Sequence, residues 1–326
     1  MQQETLEMLG LCGAKSDGDV GVRLTTRQYM AADGSVVSSQ RMPQLMTSWG
    51  LLYSWFKKSF PEQKYHLGQQ FENLEQNESS VTSYFKGGTH DSADLLIGAD
   101  GFRSSIRALL LPEIQPKYAG YVAWRGVVPE ADLPEDILNV FANHFTFFQM
   151  PSSHILCYLI PSETGNTEAG QRRLNWVWYW NMSGKELVPL LTDTEGIRRA
   201  YAIPPGALHR EQEHKQRRIA ESVLPPAFKA LLRATKEPFV QAIMDLACPR
   251  LVFDRTILAG DASFVIRPHT ASSTSKGIAN AFALSRELVE GQTLSESLEN
   301  WQISELDRGR SLMSYGQGLG GRSQGR

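Results

Sequence analysis

Cysteine is scarce in this sequence. Cys12, Cys157 and Cys248 are odd in number and far apart, so no disulfide framework and no zinc-ligand spacing is expected. Reduced, buried thiols in a cytoplasmic protein are the plain expectation. Charge of neither sign dominates, with a formal net charge of -2, so neither nucleic acid nor an anionic membrane is an expected partner. No apolar run reaches the length of a membrane span, and the opening MQQETLEMLG has neither the basic stretch nor the apolar core of a signal peptide. A glycine-rich phosphate cradle is missing as well. One GxGxxG match occurs, at Gly316, Gly318 and Gly321, but no strand precedes it, and it reads as a flexible tail.

What is present is an ordinary globular composition, 41% apolar and 21% charged over 326 residues, enough for one large core or two domains. Leu6, Met8, Leu9 and Leu11 come with no polar lead-in, as if the chain entered inside an element. Asp33-Gly34 between two strand-like runs predicts a hairpin. Thr47 or Ser48 caps a helix that Pro61 stops after Phe60. Two or three strands follow from Tyr65 to Phe85, and ADLLI (93–97) is a short strand feeding a helix from Ser104 to Leu111. From Tyr118 to Trp180 the runs YAGYVAWRGVV, FTFFQM, HILCYLI and RLNWVWYWN predict an antiparallel sheet with one packed wall and one facing a cavity. Helical segments are expected near 194–201, 209–223 and 226–234. A buried strand at 255–260 then precedes a helix over 273–291 and a last helix over 294–313.

Two segments carry the chemistry. In DLLIGADGFRSSIRALL (94–110) a strand ends in Gly98-Ala99-Asp100-Gly101 and opens a helix, which brings backbone N–H groups and a carboxylate to the carboxyl end of a sheet. Asp100 can accept from a sugar hydroxyl or act as a plain helix cap, and the residues leave the two readings even. Arg107, one helical turn beyond Arg103, can reach back to a phosphate or carboxylate. In RTILAGDASFVIRPHTASSTSKGIANAFALSREL (255–288) a second buried strand ends in Gly260-Asp261, and a loop with Pro268 feeds a long helix. The start of that helix, Ser272 to Lys276, offers free N–H groups and a positive dipole end. Its buried stripe is expected to be Ile278, Ala281, Phe282, Ser285, Leu288 and Val289.

The paired motifs resemble those of the single-component FAD-dependent aromatic hydroxylases. YAGYVAWRGVVPE, FFQMPSSHILCYLIP, RRLNWVWYWN, EPFVQAIMDLACPR and GDASFVIRPHT resemble the 2,6-dihydroxypyridine hydroxylase branch, and the likeness covers nearly the whole chain. Phe264, where most of the superfamily has histidine, is a change this branch tolerates. The resemblance implies an α/β fold: a truncated Rossmann-like FAD-binding domain interleaved with an antiparallel-sheet substrate domain. The FAD-binding parts would be 1–63, 86–117 and 245–326, with strands at the junction over 64–85 and the substrate domain over 118–244. Asp100 and Gly101 would lie near the FAD pyrophosphate and the NAD(P)H entry, with Arg107 supporting that loop. Gly260 and Asp261 would meet the ribityl chain, and Pro268, His269 and the loop to Gly277 would lie against the flavin. NADH or NADPH would reduce FAD, molecular oxygen would form a flavin hydroperoxide, and a small phenolic or N-heteroaromatic ring would take its terminal oxygen. No metal is implied, and a homodimer is left open.

The family's opening strand, GxGxxG turn and helix are not seen, and Thr47-Ser48-Trp49 stand where the family often has an arginine, with Arg41 a few residues earlier. Three accounts compete: a late start or fragment, a decayed and catalytically silent remnant, and an FAD-free relative. The first fits the retained motifs best, and it implies a chain that is poorly soluble and holds little FAD. A flavin reductase without oxygen insertion is a further alternative. His209 and His214 stand about 140° apart around a helix and so do not form a ligand pair. Trp176, Trp178 and Trp180 share one strand face and either line a substrate pocket or, for at least two of them, pack in the core.

Overall fold

The structure, a computed structural model, describes residues 20–325 together with Glu7, Gly10 and Leu11. The apolar opening residues Leu6, Met8 and Leu9, and Cys12, lie outside the described residues. Cys157 and Cys248 are buried free thiols.

β1 (Val22–Met30) and β2 (Val36–Met46) form the hairpin expected at Asp33-Gly34. Gly34 turns with φ 91°, and the Asp33 carboxylate accepts the Ser35 N–H at 2.9 Å. α1 (Trp49–Ser59) begins where the Ser48 hydroxyl accepts the Leu51 N–H at 3.3 Å. β3 (Phe71–Gln76), β4 (Val81–Phe85) and β5 (His90–Ala93) pair antiparallel, and β6 (Leu96–Gly98) leads into α2 (Ser105–Leu110). Next come β7 (Lys117–Pro129), α3 (Glu135–Phe141), β8 (His144–Met150), β9 (Ser153–Ile160), β10 (Arg173–Asn181) and α4 (Gly184–Leu190). β11 (Ala202–Ile203), α5 (Arg210–Val223), α6 (Pro226–Ala234) and β12 (Phe239–Ala247) follow. The chain then passes through β13 (Val252–Phe253), β14 (Thr256–Leu258), β15 (Phe264–Val265), α7 (Ser273–Glu290) and α8 (Leu294–Ser323).

The large sheet runs in the order β11-β12-β7-β10-β9-β8-β1-β2, with β15 added on β12. The hairpin that the sequence groups with the cofactor-binding segments hydrogen-bonds to β8, parallel through β1. β2 is the edge strand, and Pro43 falls in its register shift against β1, between Arg41 and Gln44, where no pair forms. Alternation sorts the side chains onto two faces. Val122, Trp124, Val128, Ile155, Cys157, Leu174, Trp176 and Trp178 pack with Phe141, Phe228, Leu231 and Leu232 of the helices. Gly126 makes this packing possible, because a Cβ there would stand 2.6 Å from both the Trp176 indole and Thr235. The opposite face carries Tyr121, Ala123, Leu156, Val177 and Tyr179.

A separate sheet, β13-β14-β6, forms a second core with α7 and α8. β6 and β14 are parallel, with Leu258 opposite Gly98, so both glycine-ended strands finish side by side.

Three expectations fail. Residues 194–201 form no helix; the Asp193 carboxylate accepts the Glu195 and Ile197 N–H groups and pairs with Arg199 at 2.6 Å, closing a turn instead. The helix lies earlier, at α4, behind the Ser183–Glu186 capping box. Along α7 the buried residues are Lys276, Ala279, Asn280, Ala283 and Leu284, whereas Phe282, Leu288 and Val289 are exposed. Polar anchors turn the helix this way: Asn280 accepts the Gly260 N–H at 2.8 Å and donates to Glu305, and its carbonyl accepts from the Trp301 indole at 3.0 Å. The Gly-rich stretch is not a flexible tail either, since α8 continues to Ser323. Its glycines allow contact: a Cβ on Gly309 would stand 2.5 Å from the Phe264 ring, and one on Gly320 would stand 2.8 Å from the Tyr121 hydroxyl.

This contact sets the expected result of a helix scan. Gly309→Ala should destabilise the protein by about 1–3 kcal/mol through overpacking. Gly318→Ala, with nothing within 4 Å of its Cβ, should be neutral or stabilising by up to about 1 kcal/mol. Urea melts of the two variants measure both, and equal melts would contradict the packing of α8 on Phe264.

Candidate active site

The parallel strand ends bring the two motifs together. Ser104 is the N-cap of α2, its hydroxyl accepting the Arg107 N–H at 2.8 Å. The Asp100 carboxylate completes the cap by accepting the Ser105 N–H at 2.7 Å and the Ile106 N–H at 3.3 Å, with Gly101 at φ 77° making the turn. Arg107 is buried, and it donates to the Ala262 carbonyl at 3.0 Å and the Phe102 carbonyl at 2.7 Å. It therefore braces one motif loop against the other and is not aimed at a phosphate. On the second motif, Gly260 has φ 60° with open space around its Cα. Asp261 stays 42% exposed and pairs with Lys276 Nζ at 2.8 Å. Lys276 is buried and also donates to the Phe264 carbonyl. Burial lowers the Lys276 pKa, and the Asp261 carboxylate opposes that shift. Gly277 lies on the next residue of α7 and lines, with Ile97, Ala99, Ala259, Gly260 and Leu284, an apolar cavity of about 490 Å³. A larger cleft of about 640 Å³, lined by Arg250, Arg255 and Glu299, opens at the other end of β14 and contains none of these residues.

The loop carrying Pro268 and His269 lies against the second face of the large sheet, the one that carries Tyr121 and Tyr179. His269 Nε2 is 2.9 Å from the Tyr121 hydroxyl, and its ring centroid is 4.5 Å from Tyr179 and 5.4 Å from His154. Arg267 fixes the loop base with a two-pronged bond to Asp245, at 2.9 and 2.7 Å. Burial pushes His269 down to about 3, helped by repulsion from His154 and Arg267. Burial likewise pushes His154 down to about 4, opposed by a bond to the Ser323 carbonyl. The Tyr121 hydroxyl is driven well above the ordinary tyrosine range by burial. At neutral pH the tyrosine is thus protonated and both imidazoles are neutral, so a single proton lies between the Tyr121 hydroxyl and His269 Nε2, and the imidazole tautomer sets which of the two donates.

Farther along the same face, the Phe145 and Phe147 rings are tilted against each other at 4.4 Å, Tyr158 meets Phe145 edge-on at 5.0 Å, and the Arg27 guanidinium lies 5.2 Å from the Phe147 centroid. Arg125 donates to Gln241 at 3.0 Å. The tryptophans take no part in this wall. Trp176 and Trp178 are fully buried on the packed face, and Trp180 meets Trp124 at 5.4 Å on that side. His209 and His214 are exposed at the start of α5, and Arg41 is exposed on β2. Sequence reasoning missed Tyr121, Tyr179, Arg125 and Lys276. The period-two alternation in VAWRGVV and VWYWN held the signal, since the residues between the tryptophans point the other way.

The buried imidazoles generate a pH prediction. Both folded pKa values, about 3 and about 4, lie below the ordinary 6.5, so the fold resists protonation. Stability should be complete above pH 6.5 and fall as pH drops toward 4, by at most about 1.4 kcal/mol per pH unit for each proton taken up. Glu130 and Asp193 are shifted below 4.5 and 3.8, so they titrate under this window. His269→Gln should flatten the decline between pH 6.5 and 4.5 in urea titrations, and an unchanged slope would show that His269 is not held neutral.

The FAD binding domain-like family matches residues 118–245. The chain is 31% identical to the 2,6-dihydroxypyridine 3-monooxygenase of Paenarthrobacter nicotinovorans, over 99% of this chain and 81% of that protein. The solved structure of 2,6-dihydroxypyridine-3-hydroxylase from Arthrobacter nicotinovorans superimposes with a TM-score of 0.93, covering 99% of this chain and 81% of that one. A salicylate hydroxylase of Pseudomonas putida is 27% identical over 73% of this chain and 54% of its own length. The Klebsiella pneumoniae HpxO structure with FAD and uric acid, at 19% identity and a TM-score of 0.78, covering 99% of this chain and 78% of that one, shares the fold. Motifs, topology and full-length similarity agree: the chain belongs to the FAD-dependent aromatic hydroxylases, in the branch of the 2,6-dihydroxypyridine hydroxylases.

Proposed function

We propose that this chain uses FAD and NADH or NADPH to hydroxylate a small phenolic or N-heteroaromatic compound with molecular oxygen. The observation that carries this reading is the placement of the His269–Tyr121 pair between the Asp261 strand end and an aromatic sheet face. The residues at that strand end fit the cofactor. Asp261 offers a half-exposed acceptor for ribityl hydroxyls, and Gly260 and Gly277 leave room for close approach beside an apolar cavity. Asp100 and Gly101 shape the neighbouring loop toward the pyrophosphate and the NAD(P)H entry, and Arg107 braces it. The bound flavin supplies the redox and oxygen-activating chemistry.

The chain's own residues bind, orient and exclude water. Pro268 and His269 would stand against the flavin, and Tyr121 anchors the imidazole through its hydroxyl at 2.9 Å. Tyr179 and Leu156 back the ring-binding side with buried apolar surface, which keeps water from the reacting centre. The α7 N-terminus, with Ser272 to Lys276, would offer its positive dipole end to the negative charge of a reduced flavin.

Absorbance of the purified protein, with NAD(P)H oxidation, oxygen uptake and product analysis, tests the reading. With FAD supplied in excess, a bound-flavin spectrum and substrate-stimulated formation of a hydroxylated product are expected. Flavin-dependent NAD(P)H oxidation that never yields hydroxylated product would reduce the protein to a reductase.

Asp261→Ala should weaken flavin binding about tenfold or more, the size of a lost charged-acceptor bond. The same change strands the buried Lys276 and should lower stability by about 1–3 kcal/mol, less than for a fully buried pair because Asp261 is 42% exposed. Adding Lys276→Met should restore the melt but not the flavin. A single variant that purifies fully flavinated would contradict the role given to Asp261.

A further inference from the structure

Arg125 has no carboxylate within ion-pair distance among the described residues. Its guanidinium is half-buried in an aromatic face; one Nη donates to Gln241 at 3.0 Å, and its buried Nε has no partner. It lies close enough to Tyr158 and Tyr179 to oppose the upward push of burial on both hydroxyls. Asn175 stands opposite Tyr158 across the β9–β10 pair. Asp245, two turns of the pleat away on the strand that carries Gln241, is already held by Arg267. Among the described residues, Arg27 over Phe145 and Phe147 also has a buried Nε with no partner, at the far end of this wall, whereas the buried Arg107 is met by carbonyls and Lys276 by Asp261. A guanidinium withdrawn from water with a donor left over is costly unless something completes it.

Position says what completes it. Arg125 is on the same strand and face as Tyr121, four residues away, which is about 13 Å at the rise of a strand. Tyr121 contacts His269 at one end of this stretch, and Arg125 marks the other. That span suits one aromatic ring with its substituents.

We propose that Arg125, oriented by Gln241, is the specificity-determining anchor for an oxyanion carried on the edge of the substrate ring, so that the enzyme selects aromatic anions over neutral rings. This rests on the hydroxylase reading above. The oxyanion is an enolate or phenolate oxygen or a carboxylate, and the planar fork of arginine suits each. Its recognition sets binding and the ring's orientation.

Equilibrium titrations of the full chain with 2,6-dihydroxypyridine, salicylate and the carbon isostere resorcinol test the proposal. The wild-type protein is expected to bind dihydroxypyridine or salicylate about tenfold or more tightly than resorcinol, as a charge-assisted bond requires. Preference for dihydroxypyridine identifies the ring oxygen as the anion, and preference for salicylate identifies the carboxylate. Arg125→Gln should abolish the discrimination, and Arg125→Lys, which keeps the charge without the fork, should recover part of it. In turnover, both variants should raise KM more than they lower kcat. Retained discrimination in Arg125→Gln, or none in the wild type, overturns the proposal. Should Arg125→Gln fail to fold, the wild-type preference and Arg125→Lys still decide it. FAD uptake and hydroxylated product from the wild type are scored separately, so failure of the anchor and failure of the hydroxylase reading give different results.

Discussion

The two halves of the candidate site hold together through one buried side chain. Arg107 rises from the first turn of α2 and reaches carbonyls on both motif loops, Phe102 beside its own helix and Ala262 beyond β14. β6 and β14 are short, and only a few ladder bonds join them. The guanidinium adds a fixed cross-tie where the strands stop and the loops diverge. Because it is buried and already satisfied, it acts as a brace, and the charge that meets ligands comes from other residues. The Asp100 turn and the Asp261 turn thus stand in a set relation to each other, and everything built on them inherits it: the Lys276 pair, the Pro268 loop and the start of α7.

The large sheet solves a different problem. Each strand must bury one face in a helical core and present another to chemistry, and alternation makes both from the same residues. In VWYW the tryptophans go to the core, while the valine and tyrosine between them go to the wall. Gly126 permits this where Trp176 leaves no room for a side chain. α8 then crosses from the cofactor side to the wall, and its glycines let it lie directly on Phe264 and Tyr121.

Much of this was legible in the residues. Asp33-Gly34, Ser48 and the two strand-to-glycine endings are local signals, and local hydrogen bonds satisfy them. Asp100 can serve as a cap or as a ligand contact on sequence grounds, and in the structure its carboxylate joins Ser104 in capping α2. Signals failed where distant partners decide the outcome. Apolar periodicity placed the wrong face of α7 inward because it cannot register Asn280, whose bonds to Gly260, Glu305 and Trp301 span the fold. Helix propensity ended α8 early, because the cost of its glycines is offset by contacts with residues far back in the chain. Lys276 reads as a solvated helix residue until Asp261 and the Phe264 carbonyl are brought to it.

The charges around the Pro268 loop cancel in pairs. Arg267 is matched by Asp245, and Lys276 by Asp261, while His154 and His269 are held uncharged. The loop is therefore electrically quiet across the pH range where most proteins work, and the unpaired Arg125 charge stands apart from it on β7. In such surroundings a charge that enters with a ligand or develops during reaction meets no strong local field of opposite sign from the loop. Its energy is governed instead by distant partners and by backbone dipoles, and small changes in where it sits weigh more than they would in a strongly charged pocket.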